Sequence, residues 1–188
     1  SHQNAKKRMM EDAELYGGIY SFIKDFVQPK YDASLPVFTY ESKMTLTQGD
    51  EEIELYNFVK AHTDGDSVVV FKNNNIIHTG DAFLRYGYPY VDLNNGGSIK
   101  GLIDLLGMLE LLCDENTILI PGHGDLSRKE DVTSLKNTLN DLYVKTVIGL
   151  KKGLSYSEIS DSIEETLNGD TTVKLNYIKS IELELSRN

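Results

Sequence analysis

Two apolar runs separated by three asparagines constrain this chain most. Ser67-Val68-Val69-Val70-Phe71 is followed by Asn73-Asn74-Asn75 and then by Ile76-Ile77-His78-Thr79. β-Branched side chains are stiff at χ1 and pack well on a pleated surface, and asparagine tolerates turn geometry. The stretch therefore predicts two paired strands. Two further strands are expected before it, at 38–47 and 52–59, around the turn Gln48-Gly49-Asp50. The chain after it reads as helix, strand and helices. Residues 98–112 form a helix capped by Ser98 after Gly96-Gly97, and Thr117-Ile118-Leu119-Ile120 is a short buried strand stopped by Pro121-Gly122. A long helix covers 128–149 and ends before Gly153, Ser155 and Glu158 have the capping-box spacing of a helix reaching about Leu167, and a last helix covers 173–185. At the amino end a helix is expected over 4–16, capped by Asn4, with Ala5, Met9, Met10, Ala13 and Leu15 as its apolar set. Residues 17–38, interrupted by Pro29 and Pro36, read as loop with short helix. Strands followed by helix-strand-helix define an α/β class.

The 188 residues, 40% of them hydrophobic, suffice for one domain with a buried core. A net charge of −10 with no basic stripe argues against nucleic acid as a partner. No apolar run reaches the ~18 residues that a membrane span needs, and no signal peptide is visible ahead of Lys6-Lys7-Arg8. The single cysteine, Cys113, excludes an intrachain disulfide and a cysteine-based zinc motif. Its apolar setting, Leu109-Glu110-Leu111-Leu112, marks it as a buried structural thiol.

Three segments carry residues suited to chemistry: Ala61-His62-Thr63-Asp64-Gly65-Asp66 before a strand, Thr79-Gly80-Asp81 after a strand, and Pro121-Gly122-His123-Gly124-Asp125 after another. Each puts a histidine or aspartate at a strand end, where a loop can aim it into a cleft. Imidazole and carboxylate donors suit zinc, and also iron or manganese. Singly, each residue has an ordinary structural explanation; their joint occurrence at strand ends points to a metal site. Asp64 and Asp66 either orient the His62 loop through hydrogen bonds or stabilise its turn. Arg85, Tyr86, Tyr88 and Tyr90 either line a substrate pocket or pack as an aromatic loop.

These motifs together resemble the last three metal motifs of the metallo-β-lactamase superfamily. Tyr88-Pro89-Tyr90-Val91-Asp92 and Gly96-Gly97-Ser98 are similar to an exported-hydrolase branch of it, and residues 2–9 resemble the segment just after its first metal motif. The likeness runs over about residues 1–135. It implies a partial αββα sandwich, the second half of the fold plus carboxy-terminal helices, with 136–188 as a helical tail. Carried over, His62 is a ligand of the first metal, Asp81 bridges both metals, and His123 is a ligand of the second. Aspartate at 81 resembles the glyoxalase-II-like and lactonase-like pattern rather than that of the cysteine-bearing β-lactamases. His78 falls on the other face of its strand and His2 matches a non-ligand position. The implied activity is dinuclear zinc hydrolysis of an ester, thioester, lactone or amide in a small-molecule substrate, through a metal-bound hydroxide. A periplasmic location follows from the exported relatives only.

The superfamily's first motif, His-x-His-x-Asp-His, has no counterpart here, since the four histidines stand at 2, 62, 78 and 123. Each metal would keep one histidine and a shared carboxylate, whereas a catalytic zinc takes three protein ligands. This chain alone is therefore expected to be inactive and to hold metal weakly or not at all. An amino-terminally incomplete domain is expected to be completed by its missing segment, by a second copy in a homo-oligomer, or by another protein. A non-catalytic remnant or assembly module is the alternative to an enzyme, and an unrelated α/β binding domain is a third reading. The metal reading requires His62, Asp81 and His123 to converge on one cleft.

Overall fold

The computed structural model describes residues 1–11, 35–164 and 171–187. Within them, helix α1 (Gln3–Glu11) is followed by strands β1 (Lys43–Gln48), β2 (Glu51–Tyr56), β3 (Val68–Phe71) and β4 (Ile76–Leu84). Helix α2 (Ile99–Leu112) leads to β5 (Ile118–His123), and α3 (Lys129–Lys151), α4 (Tyr156–Asp161) and α5 (Thr171–Ser186) complete the order. The expected α/β arrangement is present as one five-stranded sheet in the order β1-β2-β3-β4-β5. The first three pairings are antiparallel, with short turns joining β1 to β2 and β3 to β4 and the loop 57–67 joining β2 to β3. β4 and β5 are parallel, with α2 as the crossover that a parallel pair needs.

Strand registers sort the side chains by face. Val68, Val70, Ile77 and Leu119 are buried on one face, which belongs to the same core as Leu102, Leu105, Leu106 and Leu109 of α2 and Leu139 and Leu142 of α3. Burying a leucine or isoleucine side chain contributes roughly 1.5–3 kcal/mol, so this cluster supplies much of the driving force. The other face carries two cross-strand rows, Met44-Leu55-Val69-His78-Ile120 and Leu46-Ile53-Phe71-Ile76-Ile118. All but one of these are half-buried, and Leu46 is exposed. This second face is as apolar as the first but lacks its helix layer among the described residues.

Several boundaries differ from expectation for identifiable reasons. β5 continues through Pro121 and Gly122 to His123 because it is the sheet's last strand, and proline is tolerated at an edge, where no ladder donor is needed. β4 runs on from Thr79 to Leu84, with breaks in register on either side of Gly80, whose φ is +56°. A left-handed residue inside the strand lets it bend and continue. β1 starts at Lys43 rather than 38, because Tyr40 instead bridges to His2. Asn4 does not cap α1: its N–H donates to His2 Nδ1 at 3.2 Å, so His2 fills that role. The parts of the expected helices beyond residues 11 and 164, and most of the 17–38 loop, lie outside the described residues. Cys113 is buried, as expected, and burial pushes its thiol up to about 11.

Candidate metal centre

Each candidate ligand is delivered by a strand end and held by backbone contacts. His62 sits on the loop from β2 to β3. Its Nδ1–H donates to the carbonyl of Tyr90 at 2.7 Å. A carbonyl can only accept, so this bond puts the proton on Nδ1 and leaves the Nε2 lone pair free, the form a metal-binding imidazole needs. The His62 carbonyl accepts from Asp92 N–H at 2.8 Å, and the Ala61 carbonyl accepts from Ser98 N–H at 2.9 Å. The loop thus lies flat on the 92–98 turn. A Cβ at Gly97 would collide with the His62 carbonyl, so glycine is required there.

Asp81 follows the left-handed Gly80 on β4, and His123 ends β5 beside it. A Cβ at Gly122 would collide with Asp81 Oδ1, so only glycine lets the neighbouring strand pass under that carboxylate. Arg85 N–H donates to the His123 carbonyl at 3.0 Å, and the Arg85 guanidinium pairs with Asp131 at the start of α3 at 2.9 Å. This ties the His123 end of β5 to both a strand and a helix.

The three predicted ligands come together. Asp81 Oδ2 lies 3.9 Å from His62 Nε2, and Asp81 Oδ1 lies 3.4 Å from His123 Nε2. Two ligands of one tetrahedral metal, with bonds of about 2.1 Å, stand about 3.4 Å apart. The donor atoms therefore fit two ions, one against each carboxylate oxygen, each with one histidine. Among the described residues, no group of three or more His, Cys, Asp or Glu side chains is arranged to hold a single ion. The site is open: the His123 side chain is 75% exposed and that of Asp81 46%.

The neighbouring candidates are placed otherwise. Asp64 pairs with Arg8 of α1 at 2.5 Å, and Arg8 also donates to the Asn95 carbonyl at 3.1 Å. Asp66 accepts from the Thr63 hydroxyl at 2.7 Å and from Thr63 N–H at 3.1 Å, closing the turn after His62, and burial pushes its carboxyl above the ordinary range. Both aspartates shape the loop through partners other than the His62 ring. Tyr88 is buried against Tyr177 of α5, with ring centroids 5.1 Å apart, so it belongs to the core rather than to a pocket wall. Tyr86 is exposed and donates to Asp125 at 2.9 Å. His78 sits in the half-buried row of the second sheet face, and His2 is buried, with its Nε2–H donating to the Glu41 carbonyl at 2.6 Å. The carbonyl of Tyr90 is the contact that residue patterns did not reveal, because any residue there would present the same acceptor.

Compared as a sequence, the chain matches no family model and no curated protein. Its structure is similar to that of a metallo-β-lactamase family protein from Thermus thermophilus, at 15% identity and a TM-score of 0.60 over 97% of this chain and 62% of that one. It is also similar to a stereoselective inverting sec-alkylsulfatase from Pseudomonas sp., at 14% identity and a TM-score of 0.59 over 76% of this chain and 26% of that one. A double mutant of a sec-alkylsulfatase gives 13% identity and a TM-score of 0.61 over 80% and 27%. The chain thus spans about a quarter of the sulfatases' length. The chain has the metallo-β-lactamase fold in part, as a five-stranded sheet with its helices. It joins no closer group within that fold at these identities.

Proposed function

We propose that this chain is a portion of a metal-dependent hydrolase in which His62, Asp81 and His123 are metal ligands. The observation that carries the reading is the Asp81 carboxylate, with a different histidine nitrogen facing each of its oxygens. His62 would hold one ion, His123 the other, and Asp81 both. A bound zinc pair, or iron or manganese, would supply Lewis-acid polarisation and an activated water. The chain's own contribution is orientation: Tyr90 fixes the His62 proton, Gly122 makes room for Asp81, and Arg85 holds the His123 end of β5. The substrate class proposed is a small molecule with an ester, thioester, lactone or amide bond.

Two donors per ion favour a second component. The half-buried second sheet face and the missing donors are proposed to be completed together, by a further segment of the same polypeptide or by a second copy. Without that completion the chain is an assembly module with a weak site. The test is zinc content, by elemental analysis, and hydrolysis of lactone, thioester and β-lactam substrates by the completed protein. Asp81→Ala should lose both ions and lower activity by at least about 100-fold, since it removes a ligand from each. Asp81→Ala with full metal content and activity would end this reading.

A further inference from the structure

Helix α5 lies far from the metal motifs in sequence, yet it holds the segment on which His62 rests. Glu184 is buried near the end of α5. Its carboxylate accepts from the Ser98 hydroxyl at 2.6 Å, from Ile99 N–H at 2.7 Å and from Lys100 N–H at 3.4 Å. The two N–H groups are first-turn donors of α2, which no i−4 carbonyl can satisfy. Helix α2 has no acidic residue in its own first turn, so Glu184 supplies the negative charge that the positive end of its dipole favours. Ser98 Oγ satisfies Gly101 N–H at 2.9 Å, and Ser98 N–H reaches back to the Ala61 carbonyl beside His62.

A second anchor lies earlier in the same segment. The Tyr177 hydroxyl, also on α5, donates to the Pro89 carbonyl, and its ring packs on Tyr88. The next carbonyl along, that of Tyr90, receives the His62 Nδ1–H. At the helix end, Arg187 donates to the Leu93 carbonyl at 2.8 Å. Residues 88–99 therefore contact α5 at both ends and supply three of the bonds that fix the His62 loop: Tyr90 to the ring, Asp92 to the His62 carbonyl, Ser98 to the Ala61 carbonyl. His123 and Asp81 lie on β5 and β4, outside this chain of contacts.

We propose that α5 is a positioning element for His62, acting through Tyr177 and Glu184 to hold the Tyr90 carbonyl and the 92–98 turn in place and so to fix the proton on Nδ1. The inference rests on the reading of His62 as a metal ligand only for its consequence, not for its test. That test is long-range ¹⁵N–¹H correlation of the imidazoles in the metal-free 188-residue chain, at a pH where histidine is neutral. Wild type should show His62 in a single Nδ1–H tautomer. Tyr177→Phe and Glu184→Gln should each give a mixed tautomer at His62 with the His123 signals unmoved, and Glu184→Asp should restore part of the wild-type pattern. Tyr177→Phe removes one oxygen and keeps the buried ring, so it decides the matter if the Glu184 variants fail to fold. An unchanged Nδ1–H tautomer in folded Tyr177→Phe overturns the proposal, as does an equal disturbance of His62 and His123, which would mark general loosening. Zinc titration of the same samples then addresses the ligand reading separately: a change in tautomer should accompany about 10-fold weaker binding. The tautomer result stands whichever way that titration falls.

Discussion

At the scale of residues, the site depends as much on what is missing from side chains as on what they carry. Gly122 has no Cβ, and that absence lets β5 run beneath the Asp81 carboxylate. Gly122→Ala should displace Asp81 Oδ1 from its 3.4 Å approach to His123 Nε2. The expected outcome is at least about 10-fold weaker zinc binding by calorimetry together with a lowered thermal midpoint, because the added Cβ would also meet the backbone of Gly80 and Asp81 at 2.7 and 2.8 Å. Equal zinc affinity in the two proteins would contradict the packing described. The three metal candidates were legible as histidine and aspartate beside glycine at strand ends, and their expected roles came from the resemblance those motifs carry together. The Asp64–Arg8 pair and the Tyr90 acceptor were not. The first depends on where α1 docks, and the second is backbone and has no residue signature.

At the scale of elements, β1 is the edge of the sheet and one buried carboxylate ties it in. Glu54 on β2 bonds Lys43 of β1 at 2.5 Å and Tyr56 at 2.5 Å, with Lys72 at 3.4 Å. The Lys43 ammonium, then the Tyr56 hydroxyl, hold its carboxyl at about 2, against an ordinary 4.5. A depressed carboxyl contributes stability that is complete above about 4.5 and is lost as pH falls toward about 2. Amide-exchange protection in β1 should therefore decline over that window while α2 keeps its protection, and Glu54→Gln should show a loosened β1 already at neutral pH. Uniform protection of β1 down to pH 2 would contradict the role assigned to Glu54. The strands, α2 and α3 were legible because period-two and helical apolar patterns are local. The passage of β5 through Pro121 was not, because it depends on which strand lies at the edge. Nor was the extension of β4 past Gly80, where one left-handed residue replaces the expected stop.

At the scale of the whole molecule, one sheet carries two apolar faces and only one has a helix layer among the described residues. The donors follow the same division, with one histidine for each oxygen of Asp81 and, among the described residues, no third side chain grouped with them. Both facts lead to the same proposal, that the rest of the metal site and the cover for the second face arrive together. The measurement that tests the central claim most directly is anomalous scattering at the zinc edge from crystals of the completed protein grown with zinc. The account predicts two peaks flanking Asp81, one within about 2.1 Å of His62 Nε2 and the other within about 2.1 Å of His123 Nε2. Zinc bound elsewhere, with neither histidine in contact, would contradict it.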